Sequence, residues 1–558
     1  MTSGDDTFTA NGGFSHRQIV TMLLGLALGM FLASLDQTVV AVSIRTIADD
    51  LHGFSMMAWC TTAYLIASVM VTPLYGKLSD MYGRKRLYLT AITVFIAGSL
   101  LCSLATSIYQ LAAFRTIQGL GAGGLLSLSM TIIGDIVSPR ERARYTGILM
   151  AVLGIATMIG PLLGGVLSGQ AHIMGIAGWR WVFVLNVPTG LVAVVVLARV
   201  LNLLPKGGGR RRIDWWGVVA LTVGVTPLLV VAEQGRTWGW GSVKSLTCFI
   251  IGTLGLLVFC AVETRMGESA IVPLRLFRNR IFAQGVVISF VAGATMFGAI
   301  ALLPQYLQVV RGASPTMAGV QAMPMMVGMM IGSIVTARLI YRSGRYRIFP
   351  IIGSFLLTLA LFLSHYMTPD SRLWTTMILM AVIGCGLGCL MQPITLASQN
   401  AVEPEDMAVA TGSLTFFQQI GGTAGIAVLL SVLFSVMPGH LRSAVESAAL
   451  TPEFSAAVVA DAHSADPAVQ RFAQSMTGNG ADQGGTGSVM DDTSLIQKLE
   501  PALSRPLKQG FNDSLSVAFL LTSAMALLGL LLALTWREVP LRQTSGIQAV
   551  RASGEARA

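Results

Sequence analysis

The first chemistry this sequence offers is a carboxyl set deep in an apolar run. Asp36 lies within residues 19–42, among Leu32, Leu35, Val39 and Val40. It is the one acidic residue that the pattern places well inside such a run. A carboxyl held away from water costs several kcal/mol unless it is paired, hydrated or protonated. A group that must choose among those states can take up and release a proton. Arg115 lies in another run, 111–134. If the first run is a helix leading away from the N terminus and the fourth leads back, both charges sit at one depth. Each is then about 9 Å below the far end at 1.5 Å per residue, the fourth helix starting near residue 109. Similar depth and opposite sign predict an ion pair that forms in one protonation state and separates in another. The plainer alternatives are a static structural pair for Asp36, and for Arg115 a side chain that snorkels to the headgroups.

Other chemistries are poorly provided for. The six histidines (His16, His52, His172, His365, His440, His463) fall near the ends of apolar runs or between them, and no HExxH zinc motif occurs. The phosphate-binding pattern G-x-x-x-x-G-K-[ST] is also missing, so ATP hydrolysis is not expected. Cys60, Cys102, Cys248, Cys260, Cys385 and Cys389 all lie in apolar runs without CxxC spacing. They read as buried thiols, with no metal site. A channel would need a continuous polar lining, which these runs lack.

The elements that carry these residues follow from composition. Of 558 residues, 53% are hydrophobic and 11% charged, against about 25% charged in soluble domains. Mean hydropathy is +0.69. The class is an all-α polytopic membrane protein. A bilayer core needs about 20 apolar residues per helix. Fourteen runs qualify, near 19–42, 56–75, 87–106, 111–134, 146–167, 181–204, 214–232, 245–263, 281–302, 316–337, 348–367, 373–399, 408–437 and 514–536. The segment 1–18 reads as a tail with no signal-peptide pattern, since Asp5 and Asp6 stand where basic residues would be.

The net charge is +10. The basic residues sit in short connections, which argues for membrane orientation and against nucleic acid. Connections on the N-terminal side hold 25 Lys and Arg, from Arg17 to Arg557, and the short ones opposite hold 6. The positive-inside rule therefore predicts a multi-pass protein of the inner (cytoplasmic) membrane with both termini cytoplasmic. Residues 438–513 form a long extracytoplasmic connection with five basic and nine acidic residues. Its middle, from Gly478 to Gly487, reads as flexible, and its flanks as amphipathic helices. Such a loop could meet an envelope lipid or protein.

The sequence also repeats itself. Gly83-Arg84-x-Arg86 follows the second run and Gly344-Arg345-x-Arg347 follows the tenth. Parallel six-helix repeats are a transporter architecture with the path between the halves. The expected organisation is a tail (1–18), an N-terminal six-helix bundle (19–204), linkers with two inserted helices (205–280), a C-terminal six-helix bundle (281–536) interrupted by the 438–513 loop, and a tail (537–558).

With that frame, several motifs resemble one family. Gly76-x-Leu78-x-Asp80-x-x-Gly83-Arg84-Lys85-Arg86 looks like the loop signature of the major facilitator superfamily. Arg115-x-x-Gln118-Gly119-x-Gly121-x-Gly123 resembles its fourth-helix motif, and Gly160-Pro161-Leu162-Leu163-Gly164-Gly165 the fifth-helix motif of its antiporters. Leu35 to Val42, and Trp179-Arg180-Trp181-x-Phe183-x-x-Asn186-x-Pro188-x-Gly190, resemble the fourteen-helix drug:proton antiporters. One departure is Ile44-Arg45, where many relatives have Leu-Pro.

The resemblance implies a coupling role for Arg115 beside Asp36. It implies a cytoplasmic latch from Gly76, Asp80, Gly83 and Arg84, with both glycines read as turn formers. It also implies a sealing or hinge helix at Gly160, Pro161, Gly164 and Gly165, where spacing alone allows plain small-residue packing. Gln305, Gln321, Gln392, Gln418 and Met326 are candidate cavity residues, although a Met-rich stripe at helical spacing more often simply packs. The expected function is a proton-coupled exporter of lipophilic, often cationic compounds working by alternating access, with protons as the coupling ion and no other cofactor. The alternatives are export of a lipid or endogenous metabolite to the envelope, and proton-coupled import.

Overall fold

The computed structural model describes residues 16–51, 57–137, 139–201, 214–267, 270, 272–313, 315–403, 406–464, 466–477, 496 and 498–541. Lys206, Arg210, Arg211, Arg212, Arg542, Arg551, Arg557 and the middle of the 438–513 stretch lie outside the described residues, as does the side chain of Pro161.

Helices account for nearly all of the described chain. The first half contains α1 (His16–Asp50), α2 (Met57–Tyr82), α3 (Arg84–Ser103), α4 (Ile108–Ile136), α5 (Pro139–Ser168), and a broken helix, α6 (Arg180–Val184) and α7 (Asn186–Val200). A hairpin follows, α8 (Trp215–Trp238) and α9 (Val243–Met266). The second half contains α10 (Arg280–Gln305), α11 (Pro315–Gln321), α12 (Met323–Ser343), α13 (Ile348–Ser364), α14 (Leu373–Asn400) and α15 (Met407–Ala449). The short α16 (Pro452–Asp461) and α17 (Pro467–Thr477) precede α18 (Pro501–Thr535). A two-residue-per-strand hairpin, His172–Ile173 with Ile176–Ala177, joins α5 to α6.

Each of the fourteen apolar runs falls on these helices. Among the described residues, eleven helices are long and apolar enough to cross a membrane, and Val152–Ser168 and Ile348–Ser364 are shorter apolar helices. The remaining long helix, α2, is diluted by Thr61, Thr62, Ser68 and Thr72. Local signals place the starts. Ser107 accepts a hydrogen bond from Gln110 N at the head of α4, and Asn279 accepts from Ile281 N at the head of α10.

The hydrophobic core divides where the sequence repeat does. Two clusters draw only on residues between Met22 and Leu201, and the largest only on residues between Leu276 and Trp536. Most of the packing inside the halves corresponds, the exception being α15 on α18, which has no counterpart in α5 on α7 among the described residues. In the first, α2 and α3 pack on α4, α1 on α5, and α7 on α1 and α3. In the second, α12 and α13 pack on α14, α10 on α15, and α18 on α10 and α13. The halves meet along two seams that the same correspondence relates, α2 against α15 and α5 against α12. The α8–α9 hairpin lies on the first seam. Val69 of α2, Leu221, Val225 and Phe259 of the hairpin, and Phe416 of α15 form one apolar cluster there.

Two boundaries differ from the sequence expectation. The described flanks of the 438–513 connection are helical, as expected, but they continue the neighbouring spans: α15 runs twelve residues beyond 437, and α18 begins at 501 rather than 514. Past Pro438 and Gly439, the good helix formers Leu441, Arg442, Ala444, Glu446, Ala448 and Ala449 carry the chain, so leaving the apolar region does not end the helix. The Gly76–Arg86 stretch is no loop either, because α2 runs through to Tyr82 and α3 starts at Arg84.

Candidate functional site

Four helices meet at Asp36. Its carboxylate is 1% exposed. Arg115 Nη1 of α4 donates to Oδ2 at 2.6 Å. Gln118 Nε2, one turn further along α4, donates to Oδ1 at 2.8 Å, and Asn186 Nδ2 of α7 donates to the same oxygen at 2.7 Å. Both amides also reach Ser99 Oγ of α3, at 2.9 and 2.8 Å. The guanidinium is held in turn by Gln118 Oε1 at 2.7 Å and lies 4.1 Å from the centre of the Tyr64 ring.

An ionised carboxylate only accepts hydrogen bonds. Three donors face Asp36, so this arrangement is built for the charged form. Oδ1 is occupied by both amides, whereas Oδ2 accepts from Arg115 alone and is the oxygen open to a proton. The glycines of α4 and α5 allow the helices to come this close. A Cβ on Gly119 would strike Tyr64 O of α2, and one on Gly160 would strike Thr38 of α1. One on Gly164 would come 2.8 Å from Val39 O, whereas Gly165 faces open space. The fifth-helix glycines therefore divide, two packing α5 on the helix that carries Asp36 and one not.

A second cluster lies at the end of the halves where α2, α4 and α15 meet. Arg84 is 5% exposed and bridges Asp80 Oδ1 at 2.5 Å and Asp135 Oδ2 at 2.8 Å. It also donates to Ser79 Oγ. Gly83 alone reverses the chain, with φ at 91°, in the left-handed region that favours glycine. Gly344, at the matching place in the other half, has φ 69°. The expectation that Gly76 forms a turn is corrected. It lies within α2, and a Cβ there would come 2.9 Å from Ala408 O of α15, so its small size serves the contact between halves. Asp406, just before α15, accepts from Arg275 Nη2 at 2.9 Å. Burial holds its carboxyl above the ordinary range, with Arg275 opposing.

The candidate cavity residues are spread over five helices. Gln418 of α15 donates to Met391 Sδ at 3.0 Å. Gln305, at the end of α10, and Gln321, at the end of α11, each keep a buried side-chain oxygen without a hydrogen-bond partner. Gln392 of α14 is buried, and Met326 of α12 packs against the second core. Gln305 adjoins a π-helical turn, Tyr306–Val310, a geometry that often marks functional sites.

Sequence reasoning missed Gln118, Asn186 and Ser99 as partners of Asp36. The first two stand inside the motifs quoted above, and uncharged polar residues in apolar runs were the available signal. Asp135 was also missed. It closes the last turn of α4, one residue beyond the expected span.

A family model described as the Major Facilitator Superfamily matches residues 26–426. The chain belongs to that superfamily. It is a polytopic membrane transporter, not an enzyme. Among similar proteins, the "Multidrug transporter protein MdtP" of Bacillus subtilis is 37% identical over 416 residues, covering 74% of this chain and 75% of that one. "Multidrug resistance protein 3" of the same organism is 34% identical over 425 residues, covering 76% and 81%. An uncharacterised MFS-type transporter of Mycobacterium tuberculosis is 33% identical over 521 residues, covering 92% and 69%. Among solved structures, the human organic anion transporter MFSD10 aligns with a TM-score of 0.55 at 14% identity, covering 92% and 99%. The proton:xylose symporter XylE aligns at 0.54 and 14%, covering 97% and 100%. These structural likenesses carry the fold alone. The superfamily and the fold class expected from the motifs are thereby established.

Proposed function

We propose that the protein is a proton-coupled exporter of lipophilic, often cationic compounds. It would lie in the cytoplasmic membrane with both termini inside and use protons as its coupling ion. The observation that carries this reading is the Asp36 network, in which one buried carboxylate is held by three donors from two other helices. The names of the multidrug relatives support outward drug transport.

In this scheme a proton enters from outside and binds Asp36. The Arg115 bond loses its ionic partner, and α4 and α7 are freed from α1. The halves then rock about the α2–α15 and α5–α12 seams, opening the inner side. The proton leaves Asp36 to the cytoplasm as cargo enters, Arg115 pairs again, and the halves close inside and open outside. Asp80 and Arg84, with Gly83 at the turn and Gly76 against α15, act as the latch on the inner side. Gly160 and Gly164 keep α5 tight on α1 so that protons do not leak past Asp36.

The test uses the purified chain in proteoliposomes with an imposed pH gradient and ethidium as cargo. Wild type should move ethidium against its gradient only while the proton gradient lasts, and Asp36→Asn should abolish this uphill transport. Gradient-independent transport, or full coupling in Asp36→Asn, would overturn the proposal. Export of an envelope lipid instead of ethidium, or uptake in the reverse orientation, would point to the two alternative cargo and direction readings.

A further inference from the structure

Beyond the membrane-spanning part, α15 and α18 build a cleft of their own. At 1.5 Å per residue the 43 residues of α15 extend about 64 Å, twice a bilayer core of about 30 Å. Its last three turns therefore stand clear of the apolar region, as do the first turns of α18. The two helices touch at Gly510, where a Cβ would come 2.8 Å from Leu441 Cα. His440 Nδ1 lies 3.2 Å from Ser514 Oγ at the same level. Beyond that contact, side chains of α15, α16 and α18 line a cleft. Asp461 Oδ2, at the end of α16, accepts from Glu500 N at the head of α18 and ties the two helices together. The cleft is open to one side and holds about 540 Å³, within the usual range of about 300–1,000 Å³ for small-molecule sites.

Its walls combine apolar, charged and neutral polar side chains, the last from Ser443, Ser447, Thr451 and Gln509 beside His440. Ala444, Ala448, Phe454, Ala502 and Pro506 give an apolar side. Glu453 and Asp513 bring carboxylates from α16 and α18. The one permanently basic side chain on the wall, Arg505, is already matched, since Nη2 lies 2.8 Å from Asp370 Oδ2 outside the cleft. Asp513 accepts a single neutral hydrogen bond from Gln509. Among the described residues no group of three or more His, Cys, Asp or Glu is arranged to hold a metal ion. A cleft of drug size with an apolar side and two carboxylates that form no ion pair among the described residues favours one class of guest.

We propose that this outer cleft is a second binding site, for a monovalent organic cation with an apolar body. The body lies against Phe454 and the alanines, and the charge faces Glu453 and Asp513. This goes beyond the transport reading, because binding here requires neither turnover nor Asp36.

The test is equilibrium dialysis of tetraphenylphosphonium with the full-length chain in detergent at low ionic strength. Tetraphenylborate, of the same shape and opposite charge, serves as the control. A binding class should be present in wild type and in Asp36→Asn alike. Glu453→Gln with Asp513→Asn should weaken that class at least tenfold, and Ala448→Trp should remove it by filling the cleft. Monodispersity by size exclusion checks that the variants fold. Unchanged binding in both cleft variants, equal competition by tetraphenylborate, or loss of all binding in Asp36→Asn would overturn the proposal. Failure of proton-driven transport would leave these binding results standing.

Discussion

Replacing Asp36 and Arg115 separately and together distinguishes a stabilising pair from a working one. Each charge is 1% exposed, so removing one leaves the other buried without its counter-ion. That costs about 3–5 kcal/mol. Asp36→Asn belongs at the lower end, because Arg115 keeps Gln118 Oε1 and the Tyr64 face. A loss of about 3 kcal/mol lowers the folding equilibrium by roughly 100-fold. Arg115→Met belongs at the upper end, because Asp36 then keeps only the neutral donors Gln118 and Asn186. The double variant Asp36→Leu/Arg115→Met removes both charges together. Gln118 and Asn186 still reach Ser99 in it, and it should regain most of the stability lost by either single change. Reversible unfolding in mixed micelles gives the stabilities, and ethidium efflux driven by a pH gradient gives the function. The expected pattern is two unstable single variants, a stable double variant, and no uphill transport in any. Single variants within about 0.5 kcal/mol of wild type would refute the buried-pair argument. A double variant that still exchanges protons for cargo would refute the coupling argument.

Other outcomes follow from close contacts and buried charges. Gly160→Ala should weaken α5–α1 packing and raise proton leak, whereas Gly165→Ala, which meets open space, should do neither; a pH-sensitive dye in the vesicle lumen measures the leak. Gly76→Val should drive α2 off α15 and shift the population toward the state open at that end, read as a longer spin-label distance between the halves. Gly412→Ala, with 3.4 Å to its neighbours, should shift it little. Asp135→Asn should destabilise by about 1–3 kcal/mol because Arg84 loses one of its two buried counter-ions and keeps Asp80, and Arg84→Lys should not substitute, since one ammonium cannot span Asp80 and Asp135 as the guanidinium does. The raised Asp406 carboxyl favours the folded state in acid. Its contribution is complete below the usual carboxylate range and is lost as pH climbs through the raised value. Thermal stability should therefore fall across that interval in wild type, and less so in Asp406→Asn.

The helices were legible because lipid demands about 20 apolar residues per crossing, and the two buried charges because ionised groups are rare there. What the sequence hid was tertiary. Gln118 and Asn186 look like ordinary polar dilution until α4 and α7 are set beside α1. Gly76 suggests a turn when read locally, and its reason is a carbonyl more than 300 residues away. Hydropathy marked where α15 leaves the apolar region but not where its helix ends, because helical hydrogen bonds persist in water when the side chains suit them. The cleft above the bundle was invisible for the same reason.

The α8–α9 hairpin makes the two flanks of a pseudo-symmetric molecule unequal. Shear between α5 and α12 uncovers fresh surface directly to lipid tails. Shear between α2 and α15 takes place beneath a two-helix awning. That awning meets both halves through one apolar cluster, Val69 of α2 and Phe416 of α15, and bonds α15 once more, Trp240 Nε1 to Ser431 Oγ at 3.0 Å. Under the proposed rocking, that added bond would hold the awning to the second half while its aliphatic contact with α2 slides.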